Sequence, residues 1–283
     1  MTRATMTTPA TTQTTTPTTS PSSSRTLSDP DDFSHLAGGA LVTGGTGGIG
    51  AAICRMLAQR GSRVAVGYRR GRDAAEQLVG EFPQGQCLAV HVDLADPASI
   101  AAAVDVAASE FGGIHTFVHA AGPHVPQMHL SKVDPTLLAQ QLNEDVVGFF
   151  TVAQQCLAHL RESRGSIVAV TTAATLRYPV RDGLSSGPKA AVDAFVRGLA
   201  AEEGRFGVRA NSVGPGMLTD GMAQRLMASG DLDEAALAVT RKNIPLRTFG
   251  DANDIAEAVC FLASARADFI SGQLLAVDGG YTV

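Results

Sequence analysis

The stretch Thr43-Gly44-Gly45-Thr46-Gly47-Gly48-Ile49-Gly50 decides how this chain folds. It joins a short apolar run, Ala40–Thr43, to a helical stretch that begins at Ile49. Glycines in such a loop allow a tight turn and a close approach of the backbone to a ligand, and the free N–H groups at the start of a helix bind anions. A glycine-rich loop between a strand and a helix therefore predicts a site for the pyrophosphate of a dinucleotide.

Beyond this loop, short apolar runs alternate with helical stretches along the chain. The runs are rich in Val, Ile and Ala and show little alternation with polar residues, which is typical of strands buried on both faces. The pattern predicts parallel strands with right-handed crossovers, and so a three-layer, doubly wound α/β sheet. Pro97 and Pro188 are expected in the first turns of their helices. The predicted strands are 40–43, 63–67, 87–92, 115–120, 167–171, 208–213 and 273–277, and the predicted helices are 49–59, 73–81, 97–111, 135–160 and 188–206.

The beginning of the chain has a different composition. Residues 1–28 hold 12 Thr, 5 Ser and 3 Pro, with one Leu and no acid. Such a segment buries too little apolar surface to offset the entropy lost on ordering. We therefore expect a disordered extension over residues 1–35 and a single α/β domain over residues 36–283. Two arginines and the missing acids also resemble a transit peptide, but the segment has no amphipathic helical stripe.

Charge and cysteine usage exclude several classes of protein. The 283 residues carry a net charge of −5, which leaves no basic footprint for nucleic acid or an anionic membrane surface. No apolar run approaches the roughly 18 residues needed to span a bilayer. The four cysteines are scattered, without a C-x-x-C pair, which argues against a disulfide framework or a zinc site. We expect a cytoplasmic protein that holds no metal.

The end of the second predicted strand indicates which dinucleotide binds. An acid there accepts hydrogen bonds from the adenosine 2′-hydroxyl group, whereas an arginine pairs with a 2′-phosphate. The chain reads Tyr68-Arg69-Arg70 and has no acid before Asp73. Two guanidinium groups without a carboxylate favour NADP(H) over NAD(H); the alternative is that both arginines are simply solvated.

Together with later motifs, these residues resemble the short-chain dehydrogenase/reductase family over residues 38–283. The resemblance is specific because the motifs occur in the family's order. They are T-G-x-x-x-G-x-G at 43–50, Asp93, Ala120-Ala121-Gly122, Lys189, Asn211, Pro215-Gly216 and Val277-Asp278-Gly279-Gly280. The resemblance implies a Rossmann-type sheet of seven parallel strands, assembled as a homotetramer or homodimer.

The resemblance also implies roles for individual residues. Asp93 would bond the adenine amino group, Pro215-Gly216 would meet the nicotinamide carboxamide, and Thr219 would lie near the pyrophosphate. The cofactor-binding residues expected in this chain are Thr43, Gly44, Thr46, Gly48, Ile49, Gly50, Tyr68, Arg69, Arg70, Asp93, Leu94, Ala120, Ala121, Gly122, Lys189, Pro215, Gly216 and Thr219.

The chain departs from the family's usual active-site set of Asn, Ser, Tyr and Lys. Lys189 is present, but Ser185 stands four residues before it, where the family has Tyr. Thr172 stands at the Ser position and Asp145 at the Asn position, although a shifted alignment would select Asn143. The catalytic candidates are therefore Lys189, Ser185, Thr172, Asp145, Tyr178 and His124.

The missing tyrosine has a chemical consequence. A phenol beside a lysine ammonium can be tuned toward neutral pH, whereas a serine hydroxyl is far less acidic. Ser185 can thus bond a substrate oxygen but is a poor proton donor. None of the three tyrosines restores the spacing, so the standard Tyr–Lys mechanism is excluded. His119 also replaces the Asn that usually precedes the Ala120–Gly122 segment.

Three functions remain open. In the first, hydride goes to a conjugated C=C, whose enolate needs a hydrogen-bond clamp more than a strong acid. The dienoyl-CoA reductase branch of the family also has Ser four residues before Lys, but its relocated Tyr falls at Ala174 here. In the second, a ketone is reduced with Tyr178 or His124 as proton donor. In the third, redox chemistry is lost, and the fold is a non-redox catalyst, a nucleotide-binding scaffold or a partner subunit.

The remaining expectations concern the substrate. Asp145 beside Lys189 would keep the ammonium charged and could relay a proton. The resemblance implies that the insertion between Gly216 and Gly250 is a lid over the substrate. Its Met and Leu residues, which lie within 217–227, predict an apolar, adaptable cover for a small apolar ketone or enone. The facing wall and the entrance are expected to include Gln127, Met128, Leu130, Arg177 and Arg181.

Overall fold

The predicted strands form a single parallel sheet in the computed structural model, which describes residues 31–122, 125–219 and 234–283. Within these residues the sheet has seven strands, in the order β3-β2-β1-β4-β5-β6-β7, and every adjacent pair is parallel. The strands are β1 (Gly39–Thr43), β2 (Val64–Tyr68), β3 (Cys87–His91), β4 (Ile114–His119), β5 (Ser166–Val170), β6 (Arg209–Pro215) and β7 (Leu274–Val277).

Helices cover both faces of the sheet, as the strand–helix alternation predicts. Their bounds are α1 (Gly48–Gln59), α2 (Arg72–Val79), α3 (Pro97–Phe111), α4 (Pro135–Gln141), a π-helix (Leu142–Val147), α5 (Gly148–Ser163), α6 (Gly183–Glu203), α7 (Glu234–Asn243) and α8 (Ala252–Ala263). In the part of the chain that the structure describes, every helix is too short or too polar to cross a membrane.

The hydrophobic core has two halves because strand side chains point alternately to the two faces. In β1, Val42 packs with the half under α1 and α8, whereas its neighbour Leu41 packs with the half under α3, α5 and α6. Both residues are fully buried, as are Phe117 and Phe149, whose rings lie 6.1 Å apart in the second half. Burial on both faces explains why the strand sequences are continuously apolar.

The folded unit begins at Asp31. Phe33 is buried and stacks on the ring of His115 at a centroid distance of 5.9 Å. Asp32 accepts from the guanidinium groups of Arg60, at 3.4 Å, and Arg266, at 3.1 Å. Residues 31–35, which the sequence pattern assigns to the extension, therefore pack in the domain; the rest of the predicted extension lies outside the described residues.

The helix predicted over residues 135–160 is wrong as a single element. It is divided by the π-helix, which connects α4 to α5. At the junction, a Cβ on Gly148 would lie 2.7 Å from the Cβ of Leu94, so only glycine allows this approach. Apolar periodicity indicates helix but does not separate a π turn from an α turn, and π turns are frequent at functional sites.

The start of helix α6 also differs from the prediction. The helix begins at Gly183, so Pro188 lies inside it and not in its first turn. The carbonyl of Asp182 accepts from the amides of Ser185, at 3.1 Å, and Ser186, at 2.8 Å, which closes the first turn before the proline. The weak helix formers in Ser185-Ser186-Gly187 conceal this earlier start.

All four cysteines are buried and unpaired. Burial raises the pKa of the Cys87 thiol to about 11 and the pKa values of Cys156 and Cys260 to about 12. Burial also raises the pKa of Cys54. These thiols belong to the core, which agrees with the absence of a disulfide framework predicted from their spacing.

Candidate active site

A cleft of about 300 Å³ opens where the carboxyl ends of β1, β2 and β4 meet. The strand order reverses between β1 and β4, and such a reversal is where open α/β sheets bind ligands. The residues lining the cleft are Thr43, Gly44, Thr46, Gly47, Tyr68, Arg69, Arg70, Gly71, Val92, Leu94, Ala120, Ala121, Gly122, Glu144 and Asp145.

The glycine-rich loop forms the floor of this cleft. Gly44 has a φ of +71°, and a Cβ on it would lie 2.6 Å from the Cα of Ala121. A Cβ on Gly50 would overlap the carbonyl oxygen of Gly44. Helix α1 begins directly after Gly47, which has no side chain to accept hydrogen bonds from the first-turn amides. The loop thus presents backbone amides and a helix N-terminus to an anion, as the fit of a pyrophosphate requires.

The outer end of the cleft carries the two arginines predicted from the sequence. Arg69 and Arg70 both line it, beside Tyr68 at the end of β2. Nη1 of Arg69 lies 3.3 Å from Oε2 of Glu144 on the π-helix. Sequence reasoning missed Glu144, because no motif marks it and it lies 75 residues from Arg69.

The residues expected around the adenine and nicotinamide groups lie at the carboxyl edge of the sheet. Leu94 lines the cleft, and the carboxylate of Asp93 accepts from the amide of Ala95 at 3.1 Å. A Cβ on Gly216 would lie 2.7 Å from Cα of Asp278, so the Pro215-Gly216 turn packs tightly on the last predicted motif. The amide of Thr219 donates to the carbonyl of Gly250 at 2.8 Å.

A buried ion pair closes the inner end of the cleft. Nζ of Lys189 donates to Oδ1 of Asp145 at 2.8 Å and to the carbonyl of Ala121 at 3.1 Å. The lysine and aspartate side chains are only 10% and 5% exposed. Burial alone would raise the pKa of Asp145, but the Lys189 ammonium and then the His119 hydrogen bond lower that pKa to about 2. Of the two candidates that the sequence left open, Asp145 and Asn143, it is Asp145 that contacts Lys189.

His119 connects this ion pair to the end of β1. Its Nε2 lies 3.4 Å from Oδ1 of Asp145, and its Nδ1 lies 3.0 Å from Oγ1 of Thr43. Burial is the main cause that lowers the pKa of His119, which keeps the ring neutral. Because a carboxylate only accepts, Nε2 carries the ring proton and Nδ1 accepts from the Thr43 hydroxyl. The sequence shows that His119 departs from the family pattern, but it does not reveal that Thr43 and Asp145 are the partners of His119.

The hydroxyl candidates surround the first turn of α6. Ser185 is half-buried on that turn, and Thr172 is half-buried just after β5. Oγ1 of Thr172 accepts from the amide of Ala174 at 3.1 Å, which leaves its hydroxyl proton free to donate. The exposed Tyr178 has its phenol oxygen against Gly183, where an added Cβ would lie 3.1 Å from it.

The predicted entrance residues have partners of their own. Nη1 of Arg177 donates to the carbonyl of Tyr281 at 2.6 Å, and its guanidinium lies 4.5 Å from the centre of that ring. Gln127 donates to Asp182 at 2.9 Å. Nε of Arg181 lies 3.4 Å from Nε2 of His129, and the carbonyl of Arg181 accepts from the amide of Met128 at 3.1 Å. The side chain of Leu130 packs on Gly183.

Two of the sequence predictions cannot be placed. His124 and most of the predicted 217–227 lid lie outside the described residues.

Comparisons with known proteins give a consistent result. A family model described as enoyl-(acyl carrier protein) reductase matches residues 44–282. Versicolorin reductase stcU of Emericella nidulans is 33% identical over 266 residues, which cover 90% of this chain and 99% of that protein. Cis-4-hydroxycyclohexanecarboxylate dehydrogenase of Sinomonas cyclohexanicum is 33% identical over 245 residues, covering 86% of this chain and 96% of that protein.

One of the solved structures similar to this chain is a complex with a dinucleotide. A short chain dehydrogenase from Burkholderia cenocepacia J2315, in complex with NADP, is 30% identical to this chain, with a TM-score of 0.78. The match covers 89% of this chain and 100% of that chain.

Proposed function

Because the chain belongs to the short-chain dehydrogenase/reductase family, whose members are oxidoreductases, we propose that it is an NADPH-dependent reductase of a ketone or conjugated enone, with a proton donor other than the family's usual tyrosine. One observation carries the proposal. Asp145, which pairs with Lys189, lines the same cleft as the glycine-rich loop and the two arginines, so the Lys189 ammonium lies beside the site proposed for the dinucleotide.

The lining of the cleft fits a nicotinamide dinucleotide with a 2′-phosphate. The backbone at Gly44 and the first turn of α1 would hold the pyrophosphate, and Arg69 and Arg70 would meet the phosphate on the ribose. The segment that ends β2, from Tyr68 to Gly71, has no carboxylate of its own, and the nearby carboxylate of Glu144 is paired with Arg69. When bound, the nicotinamide supplies the hydride.

Lys189 then acts as a fixed positive charge. Asp145 stays ionised above its pKa of about 2 and holds the ammonium in place. The ammonium has three N–H donors, of which Asp145 and the Ala121 carbonyl take two. The third can donate to a sugar hydroxyl or to a developing oxyanion, and a preorganised donor of this kind stabilises the negative charge that forms during reduction.

Ser185 and Thr172 are proposed to bond the substrate oxygen. Each hydroxyl donates one hydrogen bond, which orients an acceptor without itself supplying an acidic proton. A conjugated substrate suits this arrangement, because its enolate is stabilised by such donors and takes its proton later. The protonation of a simple ketone needs a stronger acid.

Tyr178 is the proposed proton donor among the described residues. Its phenol oxygen lies against Gly183, in the same first turn of α6 that carries Ser185. A phenol is the acid that the family uses, here reached from a different position in the chain. His124 remains the alternative donor.

The substrate is proposed to be a ketone or enone on an apolar frame. Leu130, Leu176 and Val180 are exposed beside Tyr178, on the loops that flank the start of α6. The name of versicolorin reductase stcU states that this relative reduces versicolorin, and the shared length supports a related reduction here.

The assembly and location are part of the same proposal. The rings of Phe150 on α5 and Phe195 on α6 lie 5.3 Å apart between centroids, tilted by 51°, and more than two fifths of each residue is exposed. Such an apolar face supports a homodimer or homotetramer. Four unpaired buried thiols support a reducing, cytoplasmic environment.

The test is to mix purified protein with NADPH and a panel of ketones and enones and to follow the loss of NADPH absorbance. Turnover that falls by at least about a hundredfold in Lys189→Ala supports the proposal, since a preorganised donor to the developing oxyanion contributes roughly that much. Tight NADPH binding without turnover of any substrate favours a non-redox nucleotide-binding protein instead. Turnover with NADH alone contradicts the cofactor preference.

A further inference from the structure

We infer that Glu144 sets how strongly the cleft discriminates a 2′-phosphorylated dinucleotide from its 2′-hydroxyl counterpart, because it holds Arg69. The inference rests on the proposed function, since it concerns the same cleft and assumes that a dinucleotide occupies it. It assigns a specificity-determining role to a residue outside the family motifs found in the sequence.

The contact spans the mouth of the cleft. Arg69 directly follows β2 and Glu144 lies on the π-helix; both line the cleft, with 3.3 Å between Nη1 and Oε2. The glutamate side chain is 17% exposed and the arginine side chain 40%. Any anion that pairs with Arg69 in the cleft therefore lies close to the negative charge of Glu144.

Glu144 is held in place from its own side. Nε2 of Gln140, one turn earlier, donates to Oε1 of Glu144 at 2.8 Å, which leaves Oε2 directed to Arg69. The next residue, Asp145, binds Lys189 from the same π-helix. Two consecutive acids therefore line one cleft, Glu144 paired with Arg69 and Asp145 paired with Lys189.

The two arginines are not equivalent in this arrangement. Among the described residues, Arg69 has a carboxylate partner, whereas no ion pair or hydrogen bond is found for the side chain of Arg70, which lines the same cleft. A 2′-phosphate can pair with Arg70 without breaking an existing contact. A phosphate that pairs with Arg69 lies next to the Glu144 carboxylate, whose negative charge offsets that of the guanidinium, so Glu144 lowers the net contribution of Arg69 to phosphate binding.

The central experiment measures the dissociation constants of NADPH and NADH by nucleotide fluorescence in wild type and Glu144→Gln. Glutamine keeps the acceptor for Gln140 and removes the charge. We expect NADPH to bind about three- to fivefold more tightly in the variant, the size typical of a partly exposed ion pair, with NADH changed less than about 1.5-fold. Isothermal titration with 2′,5′-ADP and 5′-AMP should give the same contrast.

Arg69→Ala in both backgrounds tests the mechanism. The substitution should weaken NADPH binding about twofold in wild type and about tenfold with Glu144→Gln, because Arg69 is free only in the second case. Arg70→Ala should weaken NADPH binding by about tenfold or more in either background. The matched control is Glu76→Gln, which removes one acid from an exposed ion pair with Arg72 outside the cleft lining.

The outcomes separate the inference from the proposed function. Equal changes for NADPH and NADH in Glu144→Gln, or an equal effect of Glu76→Gln, overturn the role of Glu144. An Arg69→Ala penalty that is the same in both backgrounds overturns it too. Wild-type protein that prefers NADH, or that binds neither nucleotide, overturns the proposed cofactor and the inference with it.

Discussion

Asp145 and Lys189, 44 residues apart in the chain, meet through a buried contact of 2.8 Å between Oδ1 and Nζ. An asparagine at position 145, as the family pattern has, would present a neutral oxygen to this ammonium. The aspartate presents a full charge, in a site where the two side chains are almost excluded from water. The inner end of the cleft is therefore an ion pair rather than a neutral hydrogen bond, and its energetics differ accordingly.

Asp145→Asn should destabilise the fold by about 3 kcal/mol, because it leaves a buried ammonium without a counter-charge. Denaturant unfolding at neutral pH measures the effect. In the folded protein the pKa of Asp145 is about 2, below its ordinary 3.8, so the contribution is complete above about pH 4 and is lost as the pH falls toward 2. A double Asp145→Asn/Lys189→Met variant should lose less than the sum of the single variants; strict additivity would contradict the pairing.

His115 should make stability depend on pH between about 6.5 and 4. Burial, followed by the charge of Arg63, lowers its folded pKa from 6.5 to about 4, so the unfolded chain binds the proton in this range and the folded chain does not. The contribution is complete above pH 6.5 and falls by about 3 kcal/mol as the pH drops to 4. His115→Gln should flatten the pH profile of the unfolding free energy. An unaltered slope in His115→Gln would refute this prediction.

His119→Phe should destabilise the protein by about 2 kcal/mol, since Thr43 and Asp145 each lose a buried hydrogen-bond partner. Thr43→Val removes one of these hydrogen bonds and should cost about half as much. Unfolding midpoints in denaturant compare the two variants. If His119→Phe is as stable as wild type, the hydrogen bonds of His119 to Thr43 and Asp145 do not stabilise the fold.

Tyr178→Phe should lower the turnover of a ketone by about a hundredfold and leave the dissociation constant of NADPH unchanged, because a general acid of this kind contributes roughly that much. Tyr281→Phe is the matched control, since Arg177 contacts the ring and backbone carbonyl of Tyr281 and not its hydroxyl group. Unimpaired turnover in Tyr178→Phe assigns the proton to another donor, with His124 next to be replaced.

Gly50→Ala should abolish dinucleotide binding, because the added methyl group overlaps the Gly44 carbonyl and displaces the loop. Gly198→Ala provides the control, since nothing lies within 4 Å of its added Cβ on helix α6. That substitution should keep binding intact and raise stability by up to about 1 kcal/mol. Equal NADPH affinities for the two variants would show that the loop tolerates a side chain.

The sheet and the cofactor loop could be predicted because both depend on short stretches of sequence whose residue types indicate their structure. Apolar runs such as Ile167–Thr171 indicate buried strands, and the glycines at 44–50 identify the loop wherever it lies in space. The partners of the site residues were not predictable in the same way. Glu144 meets Arg69 across 75 residues, and His119 meets Asp145 across 26, through the sheet order and the π turn.

The missed elements have a similar explanation. Pro188 resembles a helix start because proline suits a first turn, yet the amides before it are satisfied by the Asp182 carbonyl. The pattern of apolar residues does not reveal the π-helix, because the extra residue of a π turn changes the spacing between apolar positions in only one turn. Both misses fall next to residues at which the chain departs from the family pattern, Asp145 in the π-helix and Ser185 in the first turn of α6.

Because its four cysteines are buried, the native protein has no thiol that reacts readily with a labelling reagent. Because their pKa values are raised and each residue is at most 7% exposed, they react with maleimides or disulfide reagents only after the core opens. A single Val180→Cys substitution on the exposed loop beside Tyr178 therefore accepts one probe in the native protein. Fluorescence from that probe would report movement at the entrance, and the rate of labelling of the native thiols would report unfolding in the same sample.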